Sequence, residues 1–132
     1  MRIKRPDTKN ALSIIESSKR QMEFTFSIKI SPESSETVIR NIYECYRMLG
    51  DALLVKKGIE SQDHLEPLNE LSKLKVSTSR PINIIETLRL LRHNINYYGY
   101  KPKIEEVEYA VNFAKDSYED IYKEALKIIE KE

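Results

Sequence analysis

The chain holds one cysteine, two histidines and no tryptophan in 132 residues, and each shortage closes off a class of chemistry. Cys45 alone cannot make an intramolecular disulfide or a cysteine-rich zinc site. Its neighbours are apolar, so a buried, unreactive thiol is expected there. His64 and His93 are too few for a convincing metal site, and neither stands in an H-E-x-x-H pattern. No glycine-rich phosphate loop and no G-x-S-x-G elbow occurs, so nucleotide-triphosphate and serine-nucleophile enzymes have little support and no cofactor or metal is expected. No segment approaches the roughly 18 apolar residues of a membrane span. Met1–Pro6 is basic without an apolar stretch behind it, unlike a secretory signal. These absences predict a cytoplasmic protein with no membrane contact. A net charge of +1 supplies no overall field for an anionic partner, so any such binding needs a local patch.

What remains is 40% apolar and 33% charged, a globular and strongly solvated mixture, and the length fits one domain over residues 1–132. Five prolines each stand where a helix can begin: Pro6, Pro32 after Ser31, Pro67 in a capping-box-like stretch, Pro81, and Pro102. Gly58 and Gly99 suit the opposite ends. The last segment is the clearest. Ile104, Val107, Val111, Ala114, Tyr118, Ile121, Ala125 and Ile128 advance by steps of three and four, one stripe of a long helix. A second seam runs through Ile39, Ile42, Tyr46, Leu49 and Leu53, a third through Ile84, Leu88, Leu91, Ile95 and Tyr98, and a short one through Leu65, Leu68, Leu71 and Leu74. Single helices of this kind are marginal in water. The spacing therefore predicts an all-α, antiparallel up-down bundle of four to five helices.

Residues 22–30 admit two readings. Met22, Phe24, Phe26, Ile28 and Ile30 alternate as in a strand. A helix from about Thr8 to Phe26, burying Ala11, Ile15, Met22 and Phe26, with a linker behind it, is the favoured alternative.

Polar residues gather on two faces. Arg89, Arg92, His93 and Asn96 are related by steps of three or four, with Tyr97 four beyond His93. Guanidiniums beside an imidazole and an amide make a compact surface for an anion, and the planar arginine fork suits phosphate. Arg40, Glu44, Arg47 and Asp51 form a second stripe. Taken alone, either face is better explained as a solvated exterior laced with weak intrahelical ion pairs.

Three stretches together resemble the HEPN superfamily of small prokaryotic helical bundles. Ile42–Leu54, ending at Lys57-Gly58, looks like the long second helix of archaeal members. His64 stands where many members carry a histidine. Arg92-His93-Asn94-Ile95-Asn96-Tyr97-Tyr98-Gly99 falls at the family's arginine–polar–spacer–histidine motif, ahead of a long last helix. The resemblance covers about residues 33–130.

It implies a bundle that commonly forms a homodimer with the motif helices meeting at a cleft. Active members are metal-independent ribonucleases, many of them toxins encoded beside a minimal nucleotidyltransferase antitoxin. Carried over, Arg92 would hold the scissile phosphate, and His93 and Tyr97 are the remaining catalytic candidates. Arg89, Asn94, Asn96, His64 and Arg47 would join Arg92 in binding RNA or a nucleotide. Tyr97 occupies the position of the motif's histidine; a phenol donates to phosphate readily but serves poorly as a general base. Whether the chain is an enzyme therefore stays open. The two expectations are an RNA- or nucleotide-binding protein with weak ribonuclease activity, and an inactive dimeric adaptor for a nucleotidyltransferase partner.

Overall fold

The computed structural model describes residues 2–3, 5–63, 65–76 and 83–131. Among these the chain forms five helices: α1 (Thr8–Phe26), α2 (Ser35–Lys57), α3 (Leu65–Ser72), α4 (Ile84–Tyr98) and α5 (Ile104–Glu130). Two short strands, β1 (Arg2–Ile3) and β2 (Ile59–Glu60), pair antiparallel with Arg2 opposite Glu60. None of the helices is long and apolar enough to cross a membrane.

Helix boundaries follow from local chemistry. The Asp7 carboxylate accepts the Asn10 N–H at 2.9 Å and starts α1 one residue beyond Pro6. Both α2 and α4 stop at a glycine in the left-handed region, Gly58 at φ 78° and Gly99 at φ 64°, where a side chain would be strained. Before α5, the Glu106 carboxylate reaches back to accept the Lys103 N–H at 2.9 Å. Pro67 lies inside the first turn of α3, where its missing N–H costs nothing.

Cross-helix contacts set the directions. Lys56 donates to Thr8 at 2.8 Å and Ser18 to the Cys45 carbonyl at 2.7 Å, so α1 runs antiparallel to α2. Lys19 lies over the Tyr122 ring and Lys115 over Phe26, which makes α5 antiparallel to α1. Arg40 meets Asn96 while Arg92 covers Tyr43, so α4 is antiparallel to α2. The result is an up-down bundle with α2 packed on α1, α3, α4 and α5. Tyr46, Phe113, Ile15, Ile39, Ile42 and Ile121 fill its centre.

The serines at the centre of this core are satisfied. Ser18 bonds both the Cys45 carbonyl and the Tyr118 hydroxyl, and Ser117 bonds both the Tyr46 hydroxyl and the Phe113 carbonyl. Burial pushes the Cys45 thiol up to about 12, so it stays protonated and inert. Where α3 crosses α2, Gly50 is obligatory. A Cβ there would stand 2.2 Å from the Pro67 carbonyl oxygen.

Several expectations need correction. No strand forms over residues 22–30: α1 continues to Phe26 and a turn follows, because an isolated alternating run has no ladder to join. Phe26 is half-buried rather than enclosed, at the last position of the helix. Ser34, not Ser31, is the N-cap of α2, since Ser31 and Pro32 are used in the turn closed by the Ser34 N–H on the Ser31 carbonyl. Leu65 and Tyr98 are exposed, and the last inward position of α5 is Ile129 rather than Ile128. Pro81 and the start of α4 expected from it lie outside the described residues.

Candidate functional site

The C-terminal half of α4 faces the N-terminal half of α2, and the polar groups expected to act together divide here. Arg92 lies with its guanidinium carbon 5.7 Å from the centre of the Tyr43 ring, a cation–π arrangement that fixes the side chain from below. Tyr43 is fully buried. Burial pushes its phenol up to about 12 against the opposing fields of Arg47, Arg92 and Arg89, so the platform under Arg92 is a neutral ring.

The other two expected arginines are taken. Arg89 forks onto Glu86 one turn earlier on α4, with bonds of 2.6 to 3.1 Å. Arg47 is held between Glu44 and Asp51 on α2. Desolvation raises the Asp51 carboxyl above its ordinary value, only partly opposed by Arg47. Among the described residues, no carboxylate pairs with Arg92. Of the three arginines it is the one whose guanidinium rests on a ring rather than on a carboxylate.

His93 sits between two tyrosines. Its ring centre is 4.7 Å from that of Tyr97 and 5.8 Å from that of Tyr98, the second contact edge-on. Tyr97 and Tyr98 are 70% and 76% exposed. Asn96 accepts a 2.8 Å hydrogen bond from Arg40 Nε, which ties the last turn of α4 to α2. The Asn94 side chain is exposed, while its carbonyl accepts the Gly99 and Tyr100 N–H groups that end the helix. His64 lies outside the described residues.

Arg40 and Tyr98 thus belong to this surface and Tyr43 lies beneath it, although the sequence marks none of the three as a site residue. Arg40 and Asn96 are 56 positions apart, and only the antiparallel pairing of α2 with α4 brings them together. Tyr43 carries the apolar signature of a core position, which it also is. Its second role, supporting a cation, leaves no separate mark.

Two hollows lie elsewhere on the bundle. A cleft of about 620 Å³ lies between the start of α1, the end of α2 and β2, with Arg47, Asp51, Asp7 and Asp63 on its walls. Its charged groups are largely engaged, since Asp7 and Asp63 cap helices and Arg47 holds Asp51. A smaller, mostly apolar groove of about 250 Å³ runs between α4 and α5, lined by Ile84, Leu88, Leu91 and Tyr109, with Glu105 and Glu106 at one edge. No group of three metal-ligating side chains occurs among the described residues.

Comparison with family models, with curated proteins and with solved structures returns no match for this chain.

Proposed function

We propose that the chain is a HEPN-type RNA- or nucleotide-binding protein, with Arg92 as its phosphate anchor and weak metal-independent ribonuclease activity. One observation carries this reading: Arg92 is supported on the Tyr43 ring without a carboxylate partner among the described residues, on the same helix as the His93–Tyr97 ring pair. A guanidinium held this way keeps its planar fork for a phosphodiester. His93 is the group suited to take the proton of a ribose 2′-hydroxyl, and Tyr97 can donate a hydrogen bond to a phosphate oxygen. Arg47 and Arg89, each paired with carboxylates of its own helix, make no direct phosphate contact in this reading.

The test is RNA binding and cleavage without divalent metal. Arg92→Ala should lose both. Unchanged behaviour of that variant would remove Arg92 from the site. His93→Ala should abolish cleavage and spare most of the binding, whereas Tyr97→Phe should cost binding modestly.

A second reading is an inactive dimeric adaptor for a nucleotidyltransferase, and the exposed apolar surface of α4 and α5 favours it. Leu90 and Tyr109 are exposed beside the 250 Å³ groove, and burying such a patch is a common reason for self-association. Sedimentation across a range of concentration decides this point: a protein that stays monomeric at high concentration is no dimeric adaptor.

A further inference from the structure

Resting on the RNA-binding reading, we propose that Tyr97 and Tyr98 form a stacking platform for unpaired bases, preferring purines, next to the phosphate held by Arg92. Most tyrosines of the chain are used elsewhere. Tyr43, Tyr46, Tyr118 and Tyr122 are buried, and the Tyr100 hydroxyl is bonded to Glu106. Tyr97 and Tyr98 present about three-quarters of their surface to solvent, at 70% and 76%.

Large aromatic rings left in water on the last turn of a helix need a reason, since the same turn can end in serine or lysine at no cost to the core. Their surroundings supply one. His93 is in ring contact with both of them. The Arg40–Asn96 bond anchors the turn that carries them. Gly99 follows immediately, and even a Cβ on it would meet nothing within 4 Å, so the space beside the rings is open. Lys101 and Lys103, both exposed, come directly after, and together with Arg92 and Arg40 they add positive charge around the aromatics. The acidic groups at this end include Glu33, whose carboxyl is held below its ordinary value by backbone and Ser31 hydrogen bonds with a smaller contribution from Lys101, together with Glu36, the exposed Glu105, and Glu106. Glu36 lies 3.9 Å from Arg40, and Glu106 is engaged by Tyr100 and the Lys103 N–H.

Cations that follow a phosphate backbone, interleaved with solvent-facing rings on which bases stack, are the ingredients of single-strand recognition. Bases inside a duplex already stack on each other and offer no free face. Purines have the larger π-surface, so the preference for them comes from stacking strength rather than hydrogen-bond readout. A neutral apolar partner would use the rings but leave Arg92, which pairs with no carboxylate among the described residues, without purpose.

The experiment measures binding of the full chain to 12-nucleotide oligoadenylate, oligouridylate and an RNA duplex by fluorescence anisotropy at two salt concentrations. Oligoadenylate should bind severalfold tighter than oligouridylate, and the duplex more weakly than either. Tyr97→Ser combined with Tyr98→Ser should weaken oligoadenylate binding about tenfold or more and erase the base preference. The paired Phe variants should keep the base preference and most of the affinity, losing only the modest contribution of the Tyr97 hydroxyl. The salt dependence should remain in the Ser variant and decline in Arg92→Ala.

If the Ser variant binds like the wild type while Arg92→Ala binds poorly, the platform is overturned and the RNA reading survives. If the wild type binds no RNA at low salt, that reading fails and takes the platform with it. If the Ser variant changes oligomeric state but not RNA affinity, the rings belong to a contact between copies and the platform is again overturned. Because both rings are exposed, an unchanged melting temperature is expected, which separates lost binding from lost folding.

Discussion

The interior formed by α1, α2 and α5 and the far end of α4 use the same residue types for opposite purposes. Inside, Tyr46 and Tyr118 are enclosed and each hydroxyl has a serine partner. Burial raises both phenols well above the usual range, so they act as neutral hydrogen-bonding rings. At the end of α4, Tyr97 and Tyr98 surround His93 and otherwise meet water. The cations divide in the same way. Arg47 and Arg89 are neutralised on their own helices, while Arg92 rests on a ring. The difference teaches that in this bundle a polar side chain is open to a ligand by what it is not bonded to, rather than by its type.

That contrast can be broken most forcefully where α3 crosses α2. Alanine is the better helix former by about 1 kcal/mol, yet in Gly50→Ala the new methyl runs into Pro67 backbone, which cannot rotate aside. Overpacking of this kind costs up to about 3 kcal/mol. The clash wins, and chemical denaturation should report a net loss of about 2 kcal/mol.

Ser18→Ala comes next, leaving the Cys45 carbonyl without its side-chain donor and the Tyr118 hydroxyl without its serine partner, at a cost of about 1–2 kcal/mol. A loss below about 0.5 kcal/mol would show that the interior network is not what distinguishes the two regions.

Glu70 offers a smaller effect with a pH signature. Burial works against its carboxylate, but hydrogen bonds from Lys57 and Lys73 overcome this and hold the group below the ordinary value of 4.5. A depressed folded pKa stabilises the protein above the unfolded value, and the gain is lost as pH falls through the folded one. Glu70→Gln should therefore cost about 1 kcal/mol near neutrality, since both lysines are substantially exposed. Urea titrations at pH 7 and pH 3 should show the gap between variant and wild type narrowing with acidification.

The smallest change in stability belongs to the open end. Arg92→Ala should shift the unfolding free energy by less than about 1 kcal/mol, losing the cation–π contact alone. The same variant should give the largest loss of RNA binding. A large stability loss without a binding defect would place Arg92 with the structural group and erase the comparison.

Much of the interior was legible beforehand. The stripe from Ile104 onward, the seam from Ile39 to Leu53 and the stops at Gly58 and Gly99 rest on periodicity and positive φ, which are properties of short stretches of chain. The position of Arg92 on a polar helix face was legible for the same reason. What the sequence hid is pairwise. By spacing, Tyr98 belongs to the seam of α4, but the helix ends there and no neighbour covers it. Whether Arg89, Arg92 or Arg47 retains free donors depends on which carboxylate each rotamer reaches. That Arg40 meets Asn96 depends on the register between two helices, which hydrophobic spacing alone leaves undetermined.

The sealed thiol has a practical consequence. Cys45 is the chain's only cysteine, buried and kept protonated, so it should be silent to maleimide and iodoacetamide in the folded protein. A cysteine introduced by Asn94→Cys, on the exposed side of α4, would then be the one site that takes a fluorophore or spin label. The protein comes equipped for single-site labelling beside Arg92, without first removing a native sulfur. Labelling of the unfolded chain at two sites and of the folded chain at one would also give a direct count of molecules in which the interior has opened.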